Sequence, residues 1–130
     1  MSLHEKLKGT SLADYTPIGK KNTVPELEII DISVGDGQEV IDDDTITAHY
    51  TGALATDGTI FESSKDSGNP ATFGLNQVID GWTQGVPGMK VGGIRRLIIP
   101  ATLAYGQRRA SAMIGPNSDL VFDIELIAVK

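Results

Sequence analysis

The C-terminal run LVFDIELIAVK (residues 120–130) constrains the fold more than any other part of this chain. Its apolar residues recur at every second position: Leu120, Phe122, Ile124, Leu126 and Ala128. Two acidic residues, Asp123 and Glu125, lie between them. Because successive side chains of a β-strand point to opposite faces of the sheet, this period of two predicts a strand with one apolar face. The acidic positions predict that the other face meets water, which is typical of an antiparallel sheet.

Further short runs of strand-forming residues precede this one and are separated by turn signals. They cover residues 27–34, 45–54, 60–64, 71–75 and 94–101. In the second of these runs, Ile46, Ala48 and Tyr50 share one face, and polar residues share the other. The Asp57-Gly58 pair is a strong hairpin signal, so we expect the chain to reverse there.

The single tryptophan, Trp82, lies in the glycine-rich run QVIDGWTQGV (residues 77–86). Gly81 and Gly85 are poor helix formers, so the sequence predicts at most one short helix, around Asp80 to Val86. The strand-like runs and this helix together predict an α+β fold that consists mainly of antiparallel sheet.

The N-terminal part of the chain differs in composition from the rest. Residues 1–25 are polar, contain Pro17, Gly19 and Pro25, and show no sustained hydrophobic period. A chain of 130 residues is long enough for one domain with its own core. We therefore expect residues 1–25 to form an N-terminal arm or linker and residues 26–130 to form the domain.

Charge and hydropathy exclude several classes of partner. The net charge of −6 and the pI near 4.7 argue against unspecific nucleic-acid binding. No apolar run is long enough to span a bilayer, and no basic-then-apolar leader opens the chain. We therefore expect a cytoplasmic monomer that binds neither nucleic acid nor membrane. A periplasmic location is the alternative, if a leader has been removed.

The residues that usually carry catalysis show no supporting pattern. The two histidines, His4 and His49, favour structural or solvated roles, and the chain has no cysteine. Asp42, Asp43 and Asp44 form an acidic run without the ligand spacing of a calcium site. No motif places a base beside the serines at positions 63, 64, 67, 111 and 118. The sequence therefore predicts no covalent or acid–base catalysis, no cofactor and no metal site.

Large aromatic and apolar residues instead cluster beside the irregular segments. They are Tyr50, Phe61, Phe73, Val78, Ile79, Trp82, Tyr105, Met113, Ile114 and Phe122. One interpretation is that they only build the core, which spacing alone favours. The other is that they line an apolar pocket with Trp82 as its floor and tyrosine hydroxyls on its wall. Composition and spacing leave both interpretations open.

Longer motifs in the chain resemble a known family. HYTGAL, DGTIFESS, GNPATFGLNQVIDGW, GVPGMKVGG, IPATLAYG and IGPNSDLVFDIELIAV occur in that order. In this order and spacing they resemble the FKBP family, peptidyl-prolyl cis-trans isomerases that bind macrolides such as tacrolimus and rapamycin. The resemblance runs from about Glu26 to Lys130. It is greatest to the microbial branch, which includes the macrophage infectivity potentiator proteins.

This resemblance implies a twisted five- to six-stranded antiparallel sheet wrapped around one short helix, with a pocket between them. It implies rotation of X–Pro bonds in protein folding, without a cofactor, and macrolide binding in the same pocket. The residues that match catalytic positions of the family are Tyr50, Phe61, Glu62, Ile79, Trp82, Tyr105 and Phe122. Those that match substrate-binding positions are Phe73, Val78, Met113 and Ile114.

The chain also departs from the family pattern. Where the family usually has Phe-Asp after the hairpin, this chain has Phe61-Glu62, and Ala71 replaces an aromatic residue of many eukaryotic members. These departures bear on substrate preference and drug affinity more than on activity. Two alternative functions remain: a proline-directed binding module with weak turnover, and a folding chaperone. The second is weakened because no apolar flap domain is inserted between the strands.

Overall fold

The computed structural model describes residues 7–130, so His4 lies outside the described residues. Its strands are β1 (Glu28–Ser33), β2 (Thr45–Leu54), β3 (Ile60–Ser63), β4 (Ala71–Gly74), β5 (Ile94–Ile99) and β6 (Leu120–Val129). The helix α1 spans Asp80–Gly85, and 3-10 turns follow β3 at Ser64–Asp66 and β5 at Ala101–Leu103. Each strand and the helix lie within a run that the sequence predicts.

The strands form one antiparallel sheet in the order β1-β5-β6-β2-β3, with β4 also beside β2. The first half of β2, residues 45–48, pairs with β4, and residues 51–53 pair with β3. The two short strands therefore share one edge of the sheet. This arrangement confirms the predicted fold class, an antiparallel sheet of five to six strands with one short helix. Within residues 7–130, no helix has the length and hydropathy to cross a membrane.

One face of the sheet, called the front face, carries α1 and the larger apolar core. The alternation in β6 places Phe122 and Ile124 on this face and Val121 on the opposite one, called the back face. Residues of the front core that are fully buried include Ile46, Leu97, Ile99, Leu120, Ile124 and Leu126. The core therefore follows the period of two that the sequence shows in β2, β5 and β6.

Helix α1 contains two glycines because it packs directly against β5. A Cβ atom at Gly81 would lie 2.6 Å from Cγ2 of Ile99, and one at Gly85 would lie 2.7 Å from Cδ2 of Leu97. Carbon atoms that are not bonded to each other pack at about 3.5–4.0 Å, so no side chain fits at either position. The same glycines that weaken the helix let it approach the sheet and place Trp82 above the strands.

Residues 7–24, called the N-terminal segment, cover part of the back face. The backbone N–H groups of Gly9 and Leu12 donate to the carbonyls of Ile60 and Gly58, at 2.7 and 2.8 Å. The segment therefore pairs with β3 and the turn before it, and β3 is not a free sheet edge. A second apolar cluster is buried beneath it and consists of Leu12, Val24, Ala53, Ala55, Ile60 and Val121.

The expectation that the acidic positions of β6 meet water holds only in part at Asp123, which is partly exposed and pairs with a buried arginine. Arg96 of β5, only 8% exposed, donates Nε and Nη2 to the two carboxylate oxygens of Asp123, at 2.7 and 2.8 Å. The same guanidinium donates to the backbone carbonyls of Ala13 and Asp14, at 2.9 and 2.7 Å. A buried charge needs such pairing, and here the N-terminal segment supplies part of it.

The inward stripe of β6 also differs from the prediction at its end. Leu126 pairs with Ala48, whereas Ala128 pairs with Thr47, so Ile127 is an extra residue in the β6 strand. Such a β-bulge reverses which side chains point inward. Val129 consequently packs against the front core instead of Ala128, and the sequence prediction for Ala128 is wrong.

Candidate functional site

An open cavity of about 490 Å³ lies on the front face, between α1, the sheet and the turn that follows β5. Apolar and aromatic side chains form most of its wall, and charged groups lie at its rim. The lining residues are Tyr50, Glu62, Phe73, Gln77, Val78, Ile79, Asp80, Trp82, Ala104, Tyr105, Arg108 and Phe122. Its volume lies within the range of about 300–1,000 Å³ that is typical of small-ligand sites.

Trp82 is 4% exposed and forms the floor of this cavity. The ring centroids of Phe73, Phe122 and Tyr50 lie 5.2, 5.4 and 5.7 Å from that of Trp82. Their planes meet the indole at 71°, 84° and 79°, which is the edge-to-face geometry that aromatic pairs favour. Because these rings also line the cavity, the residues that hold the indole in place are the walls of the site.

The backbone N–H of Ile79 and the hydroxyl of Tyr105 are unengaged donors among the lining residues. The residue before α1, Ile79, has an extended backbone (φ −60°, ψ 151°), and its N–H finds no acceptor within residues 7–130. Its carbonyl, in contrast, accepts the N–H of Trp82 at 3.0 Å and so begins the helix. In the same described part of the chain, the Tyr105 hydroxyl has no hydrogen-bond partner either. Both groups are available to a ligand carbonyl.

Glu62 is the acidic neighbour of both tyrosines in the cavity. Burial, followed by the negative charge of the Glu62 carboxylate, raises the pKa of Tyr50 to about 12. Burial and Glu62 also raise the pKa of Tyr105. Each phenol therefore keeps its proton at neutral pH, because both pKa values lie above the ordinary value near 10. The site offers neutral hydroxyl donors and no phenolate base.

Most of the predicted site residues come together around the cavity. Those that line it are Tyr50, Glu62, Phe73, Val78, Ile79, Trp82, Tyr105 and Phe122. Phe61 does not line it but packs edge-on against Phe122, with ring centroids 5.7 Å apart. Met113 and Ile114 lie in the loop before β6, where Ile114 is buried in the front core and Met113 packs against it. None of these three residues therefore lines the cavity.

The packing of the aromatic rings depends on a small residue in β2. A Cβ atom at Gly52 would lie 2.6 Å from Cε1 of Phe122 and 2.7 Å from Cζ of Phe61. Any side chain at this position would displace both rings. Gly52 thus fixes the wall of the cavity from the strand beneath it.

Sequence reasoning missed the lining residues Gln77, Asp80, Ala104 and Arg108. Of these, Asp80 and Arg108 are exposed, and they lie in segments without a hydrophobic period. Their only sequence signal is that each lies within three positions of a residue that was singled out, Ile79 or Tyr105. Which charged residues lie at the rim of the cavity depends on the fold, and no local sequence pattern indicates them.

The structure places His49 away from the cavity. Its Nδ1 lies 2.9 Å from Oγ of Ser64, and that hydroxyl accepts the backbone N–H of Tyr50 at 2.8 Å. This histidine therefore joins the turn after β3 to β2, which is a structural role. Within residues 7–130, no group of three or more His, Asp or Glu side chains is placed to hold a metal ion.

Comparison with known proteins gives a consistent result. A family model described as FKBP-type peptidyl-prolyl cis-trans isomerase matches residues 37–127. A probable FKBP-type peptidyl-prolyl cis-trans isomerase FkpA of Neisseria meningitidis serogroup B is 45% identical over 111 residues, which are 85% of this chain and 40% of that protein. An FK506-binding protein of Neisseria meningitidis serogroup A is 46% identical over 105 residues, covering 79% of this chain and 95% of that protein.

A solved structure shows the same fold. The crystal structure of FkpA from Escherichia coli superposes with a TM-score of 0.73 at 43% sequence identity, over 80% of this chain and 48% of that one. The chain therefore belongs to the family of FKBP-type peptidyl-prolyl cis-trans isomerases. It spans about two fifths of the length of its FkpA relative from Neisseria meningitidis.

Proposed function

We propose that this chain catalyses cis–trans rotation of X–Pro bonds in polypeptides that are folding or refolding. The observation that carries the proposal is the apolar cavity above Trp82, in which the Ile79 N–H and the Tyr105 hydroxyl are unengaged and no lining residue is a nucleophile paired with a base. Rotation about a peptide bond makes and breaks no covalent bond. A site without acid–base or covalent machinery therefore suffices for this reaction.

The physical basis is the resonance of the amide bond. Rotation must overcome a barrier of about 18–20 kcal/mol, and the uncatalysed exchange at X–Pro takes tens to hundreds of seconds. The planar amide is more polar than the twisted transition state, in which resonance is lost. Transfer from water into an apolar cavity therefore destabilises the ground state more than the transition state. Lowering the barrier by about 6 kcal/mol brings the exchange to milliseconds, because about 1.36 kcal/mol is a factor of ten.

The residues of the cavity have different roles in binding the substrate, which follow from their chemistry. The indole of Trp82 offers a flat apolar surface on which a proline ring packs, and Val78 and Phe73 enclose it. The Ile79 N–H holds a substrate carbonyl, and the Tyr105 hydroxyl donates a second hydrogen bond. Such fixed donors hold the substrate in place while the amide rotates, without reorganisation during the reaction. The aromatic wall excludes water, which strengthens both hydrogen bonds.

The same cavity is proposed to bind macrolides such as tacrolimus or rapamycin in competition with X–Pro segments. The Neisseria meningitidis serogroup A relative bears the name FK506-binding protein, which supports this proposal. We propose further that the chain acts as a monomer and binds no nucleic acid, since its net charge of −6 opposes a polyanion. Either the cytoplasm or the periplasm is its proposed location, and cell fractionation with one marker enzyme for each compartment decides between them.

Exchange spectroscopy tests the proposed activity directly. Cis–trans exchange is measured by NMR in a panel of X–Pro peptides, with and without excess tacrolimus. We expect acceleration that the drug abolishes. Binding of tacrolimus without acceleration would instead favour a proline-directed binding module. The absence of both activity and binding would contradict the proposal.

Substitution of the cavity floor tests the assignment of the site. Trp82→Ala is expected to abolish most tacrolimus binding, measured by calorimetry, together with the acceleration. Leu12→Ala is the matched control, because it also removes a buried apolar side chain but lies on the back face. If Trp82→Ala retained both activity and affinity, the cavity would not be the site.

A further inference from the structure

Asp119, the residue before β6, is 7% exposed, and both of its carboxylate oxygens bind backbone N–H groups. Oδ1 accepts the N–H of Ala101 at 2.8 Å, and Oδ2 accepts the N–H of Val24 at 2.8 Å. Its own carbonyl accepts the N–H of Ala55 at 2.9 Å. One buried side chain therefore joins the N-terminal segment to the 3-10 turn after β5.

That turn carries Tyr105 into the cavity. The carbonyl of Ala101 accepts the N–H groups of Ala104 and Gly106, at 2.9 and 2.8 Å. These two residues flank Tyr105 on either side. Asp119 therefore binds the N–H of Ala101, the same residue whose carbonyl holds the backbone on both sides of Tyr105. Gly106 is tied a second time to the segment before β6, since its carbonyl accepts the N–H of Asn117 at 2.7 Å.

We propose that Asp119 is a positioning residue for Tyr105, and that the N–H of Val24 is part of the same support. This inference rests on the proposed function of the cavity. The carboxylate orients the turn, and the turn places the Tyr105 hydroxyl at the distance at which it donates to a bound carbonyl. The N-terminal segment, which lies on the back face, thereby contributes to the geometry of a site on the front face.

The carboxylate of Asp119 supplies the acceptors for both N–H groups. Each bound N–H is a buried or half-buried donor, and loss of its acceptor leaves an unsatisfied backbone group. Asp119→Ala removes both acceptors. Asp119→Asn keeps one oxygen but turns an NH₂ donor toward the other N–H. Misplacement of a catalytic group by about 1 Å is enough to lower a rate up to about a hundredfold.

A double-mutant cycle with Tyr105 tests this role. The cycle compares Asp119→Ala, Tyr105→Ala and the double variant by kcat/KM on one X–Pro peptide and by the Kd for tacrolimus. All variants are measured at a temperature where far-UV and near-UV circular dichroism show a folded chain. We expect Asp119→Ala to lower kcat/KM and tacrolimus affinity about tenfold in the parent chain. In the Tyr105→Ala background the same substitution is expected to change either quantity less than about twofold.

The outcomes separate positioning from a merely structural role. Equal losses from Asp119→Ala in both backgrounds would mean that Asp119 does not act through Tyr105, and the inference would fail. Asp119→Asn is expected to lower kcat/KM and tacrolimus affinity, but less than Asp119→Ala does. If the parent chain binds tacrolimus without accelerating exchange, the proposed activity fails. The cycle in Kd still tests the inference in that case.

The contribution of the N-terminal segment has its own test. Val24→Pro removes the N–H that Asp119 accepts. Thr23→Pro is the matched control, because the N–H of Thr23 has no acceptor within residues 7–130. We expect Val24→Pro to lower kcat/KM severalfold and Thr23→Pro to leave it within twofold. Equal activity of the two variants would overturn the part assigned to Val24.

Discussion

The two faces of the sheet are closed in different ways. The front face packs against α1 through apolar and aromatic side chains, and an open cavity remains between them. The back face is covered by the N-terminal segment, which is held by backbone hydrogen bonds and by the buried guanidinium of Arg96. Side chains thus form most of the site, whereas hydrogen bonds to the main chain hold the cover of the back face.

This difference predicts that the consequences of substitution separate by face. A change on the back face should lower stability and leave ligand affinity unchanged, as long as it does not touch the Asp119 bridge. A change on the front face should alter stability and affinity together, because the rings that hold Trp82 are also the cavity wall. Interiors are close-packed, so the front face offers few positions where structure and binding are independent.

The largest expected effect on stability comes from Arg96 on the back face. Arg96→Met keeps most of the side-chain volume but leaves Asp123 and the carbonyls of Ala13 and Asp14 without their donor. We expect a loss of about 3 kcal/mol in the free energy of unfolding, at the low end for a broken buried pair because Asp123 is partly exposed. Urea unfolding measures it, and tacrolimus affinity should stay within twofold.

Arg109→Met is the control for this substitution, because Arg109 is exposed and donates only to carbonyls of its own loop. It should change the free energy of unfolding by less than about 0.5 kcal/mol. A loss of tacrolimus affinity in Arg96→Met equal to its loss of stability would show that the two faces are not separable.

A smaller effect is expected from the contact between α1 and β5 on the front face. Gly81→Ala forces a Cβ atom against Ile99 and should cost about 1–3 kcal/mol, as overpacking does. Because the helix must shift and it carries Trp82, tacrolimus affinity should fall as well. Calorimetry and urea unfolding measure the two losses. In an Ile99→Ala background the cost of Gly81→Ala should shrink, and an unchanged cost would contradict the steric explanation.

Alkaline pH provides a third, weaker comparison between the faces. Tyr50 on the front face has its pKa raised to about 12, first by burial and then by Glu62. Tyr15 on the back face also has a raised pKa through burial, but the positive charge of Arg96 opposes that shift. A raised tyrosine pKa favours the protonated, folded state. The stability it contributes is fully present below about pH 10, the ordinary pKa, and is lost as the pH rises toward about 12.

Urea midpoints measured between about pH 9 and pH 11.5 test this prediction. The slope of stability against pH should flatten in Tyr50→Phe and change less in Tyr15→Phe. Equal flattening in the two variants would mean that Arg96 does not offset the burial of Tyr15. The slopes are compared rather than the absolute values, since each substitution also removes a hydroxyl group.

The faces differ as well in how far the sequence predicts them. The strands of the front core follow from the period of two, and β2 begins and ends where that pattern does, at residues 45 and 54. The cover of the back face does not, because residues 7–24 have no hydrophobic period and bind through backbone groups, which every residue carries. No sequence pattern predicts the extra residue at Ile127 either, because a bulge changes strand pairing and not composition.

The site divides in the same way. Its aromatic residues could be named from the sequence through the family resemblance, because spacing alone left open whether they only build the core. The residues that hold those rings, such as Gly52 and Asp119, act through distances that only the folded chain defines. Rim charges such as Arg108 fall in the second group, because a single charged residue in a loop has no pattern.

The smallest expected effect concerns the rim of the cavity. Arg108 lines the cavity and its guanidinium has no partner within residues 7–130, whereas its neighbour Arg109 donates to carbonyls of its own loop. An unpaired cation at the mouth of a site attracts acidic segments. Arg108→Gln should therefore lower kcat/KM about two- to fivefold for peptides with glutamate beside proline at low salt. Peptides with alanine at that position should change little.

The matched variant Arg109→Gln makes this prediction specific. It removes the same charge one residue away and should leave the ratio of glutamate to alanine peptides unchanged. Raising the ionic strength to about 1 M shortens the screening length to about 3 Å, so the effect of Arg108→Gln should then disappear. A loss that persisted at high salt would point to packing by the arginine stem instead of its charge. The preference of the cavity for peptides with glutamate beside proline would then depend on side-chain packing, as the stability of the front face does.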